Sequence, residues 1–73
     1  PIFKLKRQKE EDEERKKEAE DAVKEVFAMA HPVELYAGNG HIRFLQHQIA
    51  ERYGLPSESK GKEPFRRVII YPL

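Results

Sequence analysis

At 73 residues, with 14 Lys/Arg against 13 Asp/Glu and no cysteine, the chain holds one small domain and excludes both a disulfide framework and a thiolate metal site. Its apolar stretches are too short to span a bilayer and no signal-peptide core follows Pro1-Ile-Phe-Lys, so an intracellular protein, nuclear or cytoplasmic, is expected. The opening on Pro1, running straight into a long charged segment, reads as a piece of a larger protein.

The net charge of +1 hides a regional bias. Residues 40 to 73 carry six Lys/Arg (Arg43, Arg52, Lys60, Lys62, Arg66, Arg67) against three acids (Glu51, Glu58, Glu63), whereas the first 21 residues are close to balanced. An electrostatic footprint for a polyanion therefore belongs to the second half of the chain.

No apolar residue stands between Leu5 and Ala19. Three acids there and one just beyond precede a base by four residues (Glu11 and Arg15, Asp12 and Lys16, Glu13 and Lys17, then Glu20 and Lys24), the favourable helical order, worth about 0.3 kcal/mol each. No a/d seam accompanies them, which argues against a coiled coil. Residues 1–18 are expected to form a charged helical lead-in or linker, and residues 19–73 the domain.

Ala19, Ala22, Val23, Val26, Phe27 and Ala30 then mark a helical stripe facing a core. His31 stands before Pro32, which disfavours helical backbone, so this helix should end near Ala30. Val33-Glu-Leu-Tyr36 alternates as a short strand, and Ala37-Gly-Asn-Gly40 is turn chemistry with Asn39 placed as an N-cap. A second helix over about 40–53 puts Ile42, Leu45, Ile49 and Tyr53 towards the core with Phe44 beside them. Gly54 suits a left-handed cap, Leu55 its hydrophobic contact, and Pro56 stops the helix. Ser57 to Pro64 supplies a short strand and a loop, and Phe65-Arg-Arg-Val-Ile-Ile-Tyr71 is the strongest strand. The expected fold class is α+β, in the order helix-strand-helix-strand-strand: a small three-stranded sheet with two helices packed on one face, preceded by the charged helical extension.

Arg43 and His47 stand four apart in the second helix, so guanidinium and imidazole project side by side. Such a donor pair suits a phosphate. The alternative is a solvated helix face with His47 paired to Glu51. The remaining chemistry points away from catalysis. His31, His41 and His47 lack metal-ligand spacing, Ser57 and Ser59 sit in no nucleophile motif, and no phosphate-binding loop exists, so neither metal nor cofactor is expected.

The run Arg43-Phe-Leu-Gln-His47 resembles the defining motif of the R-3-H domain, named for an Arg and a His separated by three residues. The likeness continues through Ala50-Glu-Arg-Tyr53-Gly54-Leu55 and Ser57-Glu-Ser59-Lys-Gly61 to Arg67-Val-Ile-Ile70. It departs at Pro64-Phe65, where many members carry polar or glycine residues in the hairpin loop. The resemblance implies a three-stranded sheet with helices on one side, and binding of single-stranded DNA or RNA as an accessory module of a larger protein. Arg43 and His47 would form the centre of the site, with Arg67, Lys62 and Lys60 subsidiary. Arg66 and Arg67 alternate to opposite faces of their strand, so only one can serve a given surface. Phe27 and Phe44 are assigned to the core. Tyr36 and Tyr71 are the candidates for a stacking platform, with packing at the sheet edge as the alternative.

The expectation is thus a non-enzymatic, monomeric module that binds single-stranded nucleic acid mainly through the backbone, with little base specificity. A protein-protein interaction module of the same fold is the rival.

Overall fold

The computed structural model describes residues 2–73, with side chains from Gln8 onward; Pro1 of the expected lead-in lies outside the described residues. Helix α1 (Ile2–Met29) is followed by strand β1 (Val33–Glu34), helix α2 (Gly40–Arg52), and strands β2 (Ser57–Lys60) and β3 (Arg67–Ile70). The order is the one expected.

Helix α1 crosses position 18 without a break. It ends where the sequence predicts, but at a cost: Ala30 takes φ 56°, the left-handed conformation usually left to glycine, and its amide donates to the Val26 carbonyl (2.9 Å). The charge pairs differ from the expected set. Arg15 bonds Glu18 (2.9 Å) and Lys16 approaches Glu13 (3.8 Å), each three residues away. Tertiary partners explain the change. Asp12 bonds His41 (3.0 Å), and the Arg15 Nη2 group donates to the carbonyls of Tyr36 (2.7 Å) and Ala37 (3.0 Å). Glu18 accepts from the Tyr36 amide (2.8 Å) and from Gln46 Nε2 (3.1 Å). The acidic and basic residues of α1 thus clamp the connection that leads into α2.

Helix α2 is capped at both ends as its sequence prescribes. Asn39 Oδ1 accepts from the Ile42 amide (2.9 Å). At the other end Gly54 has φ +73°, its amide donates to the Glu51 carbonyl (2.9 Å), and the Leu55 amide reaches back to the Ala50 carbonyl (3.0 Å). That pair of bonds is a Schellman motif, and Leu55 is buried beneath it as the motif requires.

The sheet is antiparallel in the order β1-β3-β2. Val33, Val68 and Ile70 face the helices, where they join Ala19, Ala22, Val23 and Val26 of α1, Ile49 and Ala50 of α2, and Leu35 and Leu55 in one cluster. Four core assignments change: Phe27, Ala30, Phe44 and Tyr53 are exposed. Gln46, not expected there, is wholly buried. The buried positions of α2 are Ile42, Gln46, Ile49 and Ala50, a stripe rotated from the apolar one because the helix wedges between α1 and the sheet. Glu18 accepts from Gln46 Nε2, which satisfies the donor half of the buried amide, while Gln46 Oε1 has no hydrogen-bond partner among the described residues.

Candidate nucleic-acid interface

Strand alternation decides which side chains share a surface. Ser57 pairs with Ile70 and Ser59 with Val68, so both serines point to the helix side of β2, the edge strand beneath α2. His47 meets them there: its Nδ1 lies 2.7 Å from Ser57 Oγ and its Nε2 2.7 Å from Ser59 Oγ. One ring nitrogen of a neutral imidazole donates and the other accepts. One serine therefore gives its proton to His47, and the other accepts from His47 and keeps its own O–H free to donate elsewhere. Burial first, and the nearby Arg43 charge second, hold the His47 pKa below its ordinary value, which favours this neutral form.

Arg43 lies one turn earlier on the same face. Its Nη1 group donates to the Gly38 carbonyl (2.6 Å) and to Glu63 Oε1 (2.8 Å), the latter from the loop joining β2 to β3. Among the described residues, both bonds of this guanidinium leave from Nη1. Its Nη2 lies over Gly40, where an added Cβ would stand 3.9 Å away, so the guanidinium folds back along the start of α2. Only 15% of the side chain is exposed, so the fork is held in one place, and its Nε and Nη2 make no hydrogen bond among the described residues.

The hairpin loop is tied to the same point. The Gly38 amide donates to the Arg66 carbonyl (3.1 Å), Arg66 Nη1 to the Gly61 carbonyl (2.8 Å), and the Phe65 amide to the Lys62 carbonyl (2.7 Å). Gly61 is required in this loop. It has φ +92°, and a Cβ there would stand 2.6 Å from Arg67 Nη1. Lys62 is exposed between Gly61 and Glu63, on the loop that Arg43 holds.

The five residues expected to bind therefore divide. Arg43, His47 and the loop bearing Lys62 come together where α2 meets the hairpin. Lys60 and Arg67 are register partners on the helix-free face, where Arg67 pairs with Glu34 and Lys60 with Glu58 (3.3 Å). Tyr71 lies on that face too, its hydroxyl donating to Glu58 (2.7 Å). The Tyr71 hydroxyl first, and Lys60 second, hold the Glu58 carboxyl below its usual range; the same hydroxyl, then Glu58, hold the Lys60 ammonium above its own. Tyr36 is 81% exposed.

Sequence reasoning missed Glu63, Gln46 and the two serines as partners of His47. Two serines spaced by one residue in a strand share a face, and that spacing was the available signal. Elsewhere the electrostatics oppose a polyanion. A groove of about 470 Å³ between α1 and β1 is lined by Glu14, Glu18, Asp21, Glu25 and Glu34, with Lys17 as its one cation among the described residues. Among the described residues no group of three or more side chains is placed to hold a metal ion, and no helix is long and apolar enough to cross a membrane.

A family model described as the R-3-H domain matches residues 13–72. No curated protein matches the chain.

Proposed function

The chain belongs to the R-3-H domain family, a family of nucleic-acid-binding domains, and from that premise we propose that it binds single-stranded DNA or RNA through its sugar-phosphate backbone, as an accessory module without catalytic activity of its own. The observation that carries the reading is the Arg43 fork. It is held in place by one nitrogen, which leaves Nε and Nη2 without a hydrogen bond among the described residues, and it is tied through Glu63 to the loop that carries Lys62 and Arg66. A fixed guanidinium meets a phosphate with two parallel hydrogen bonds and loses little side-chain freedom in doing so.

His47 has a positioning role in this scheme. Both its ring nitrogens are taken by serines, so it orders Ser57 and Ser59 and leaves one hydroxyl free to donate to a second phosphate oxygen. Lys62 adds charge from the loop. An intracellular setting, nuclear or cytoplasmic, suits such a ligand, and the module works as a monomer within a larger protein.

The test is an NMR titration of the labelled chain with short single-stranded DNA and RNA at low salt, repeated with Arg43→Ala. Shifts centred on Arg43, His47 and the hairpin loop are expected, with affinity falling roughly ten- to a hundredfold in the variant, the worth of a charged hydrogen bond. A folded wild-type chain that shifts with neither strand would refute the proposal and favour the protein-interaction reading.

A further inference from the structure

We propose that Phe65 stacks on a base of the bound strand, beside the phosphate that Arg43 holds, so that the site takes a nucleotide whose base has left its own stack. The proposal rests on the nucleic-acid reading given above.

A single exposed aromatic ring is ordinary in itself. Phe65 differs from the others in what holds it. The residue is 73% exposed, yet its backbone is pinned by its own amide bonding Lys62 and by Arg66 on its far side, which bonds Gly61 with its guanidinium and Gly38 with its carbonyl. Two residues before it, Glu63 bonds Arg43 directly; one residue after it, Arg66 bonds Gly38, the residue whose carbonyl also takes Arg43 Nη1. Phe65 is thus bracketed by two links to the same guanidinium. The ring is presented on a hydrogen-bonded loop and lies outside the core, so little backbone is left to order when a ligand binds it.

The other exposed aromatics lack this relationship. Phe44 follows Arg43 directly in α2, and adjacent residues of a helix diverge around its axis. Tyr71 is on the helix-free face, bonded to Glu58. Tyr36 borders the acidic groove, where a strand's phosphates would be repelled. Phe27 belongs to α1 and Tyr53 to the far end of α2. Among the described residues, Phe65 alone combines a pinned backbone, an exposed ring and proximity to the fixed cation. Every base has a π-face, so such a platform takes any base in a single strand but requires that the base be free. A paired duplex offers such a base only at its ends, which gives a physical reason for preferring single strands.

The experiment is fluorescence anisotropy with the 73-residue chain, using a short labelled single strand and an abasic strand with the same number of phosphates. Wild type, Phe65→Leu and Phe65→Ala are compared, with thermal melting to show that each is folded. The expected result is a loss of roughly five- to 150-fold in the Phe65→Ala affinity for the base-bearing strand, an intermediate loss for Phe65→Leu, and no change on the abasic strand. Equal affinity of wild type and Phe65→Ala for the base-bearing strand overturns the proposal and leaves phosphate binding standing. Equal losses on both strands also overturn it, since Phe65 would then only shape the loop. A wild-type chain that binds neither strand removes the nucleic-acid reading itself.

Discussion

Arg43 and Glu63 are 20 residues apart in the chain and 2.8 Å apart in space, and this pair joins α2 to the hairpin loop. It also sets a competition. The Glu63 carboxylate on Nη1 offsets part of the charge that a phosphate on the remaining nitrogens would meet, so a polyanion must displace it or share the guanidinium with it. Glu63 is largely exposed, and a pair with one exposed partner is worth only about 0.2–1 kcal/mol. Displacement is therefore easy but not free. Glu63→Gln is expected to raise affinity for a single strand by up to about fivefold at low salt while leaving the fold intact. Anisotropy titrations of the two proteins measure this, and unchanged affinity would show that Glu63 does not compete.

The pH response follows from His47. Burial and Arg43 lower its pKa in the folded chain, whereas in the unfolded chain it titrates near its ordinary value of about 6.5. Between those two values the unfolded state binds more protons, so unfolding free energy rises with pH there. The contribution of His47 to stability is complete above about 6.5, falls as the pH drops below it, and levels once folded His47 is itself protonated. Denaturant titrations across this range should lose that part of their slope in His47→Gln. An imidazole titration by NMR with its midpoint at or above the ordinary value would contradict the account.

Ala30 stores strain at the end of α1. A left-handed residue with a Cβ costs about 1–2 kcal/mol, while glycine carries a greater loss of freedom on folding that offsets part of the relief. Ala30→Gly should therefore stabilise the chain by about 0.5 kcal/mol, seen as a rise in Tm of about 2–4 °C in a thermal melt. A melt that moves down would mean that the φ of 56° carries no net penalty.

The parts of this fold legible in the sequence are those governed by local chemistry. Asn39 and the Gly54-Leu55 pair act within a few residues of themselves, and both caps form as their residue types prescribe. Arg43 and His47 share a helix face because four residues advance only slightly more than one turn. What the sequence concealed depends on partners far along the chain. The burial of Gln46 requires Glu18, 28 residues earlier, and the exposure of Phe44 follows from how α2 is wedged. Register between β2 and β3 sends Lys60 and Arg67 to the helix-free face, and no property of either residue alone reveals it.

That last separation gives the sharpest mutational contrast. Lys62 lies on the loop tied to Arg43, whereas Arg67 pairs with Glu34 across the sheet and lies 3.5 Å from the Lys60 carbonyl through its Nη1. Each phosphate neutralised on a single strand contributes about −0.7 to the slope of log affinity against log salt, so Arg43, Lys62 and one more contact give a slope near −2. Lys62→Ala should weaken binding at low salt and make that slope shallower by about 0.7. Arg67→Ala should leave the slope unchanged, because its guanidinium stands on the other side of the sheet. Salt titrations of both variants separate the two faces: a slope reduced by Arg67→Ala in a folded chain would place the strand on the helix-free face, and a slope unmoved by Lys62→Ala would take the loop lysine out of the phosphate track.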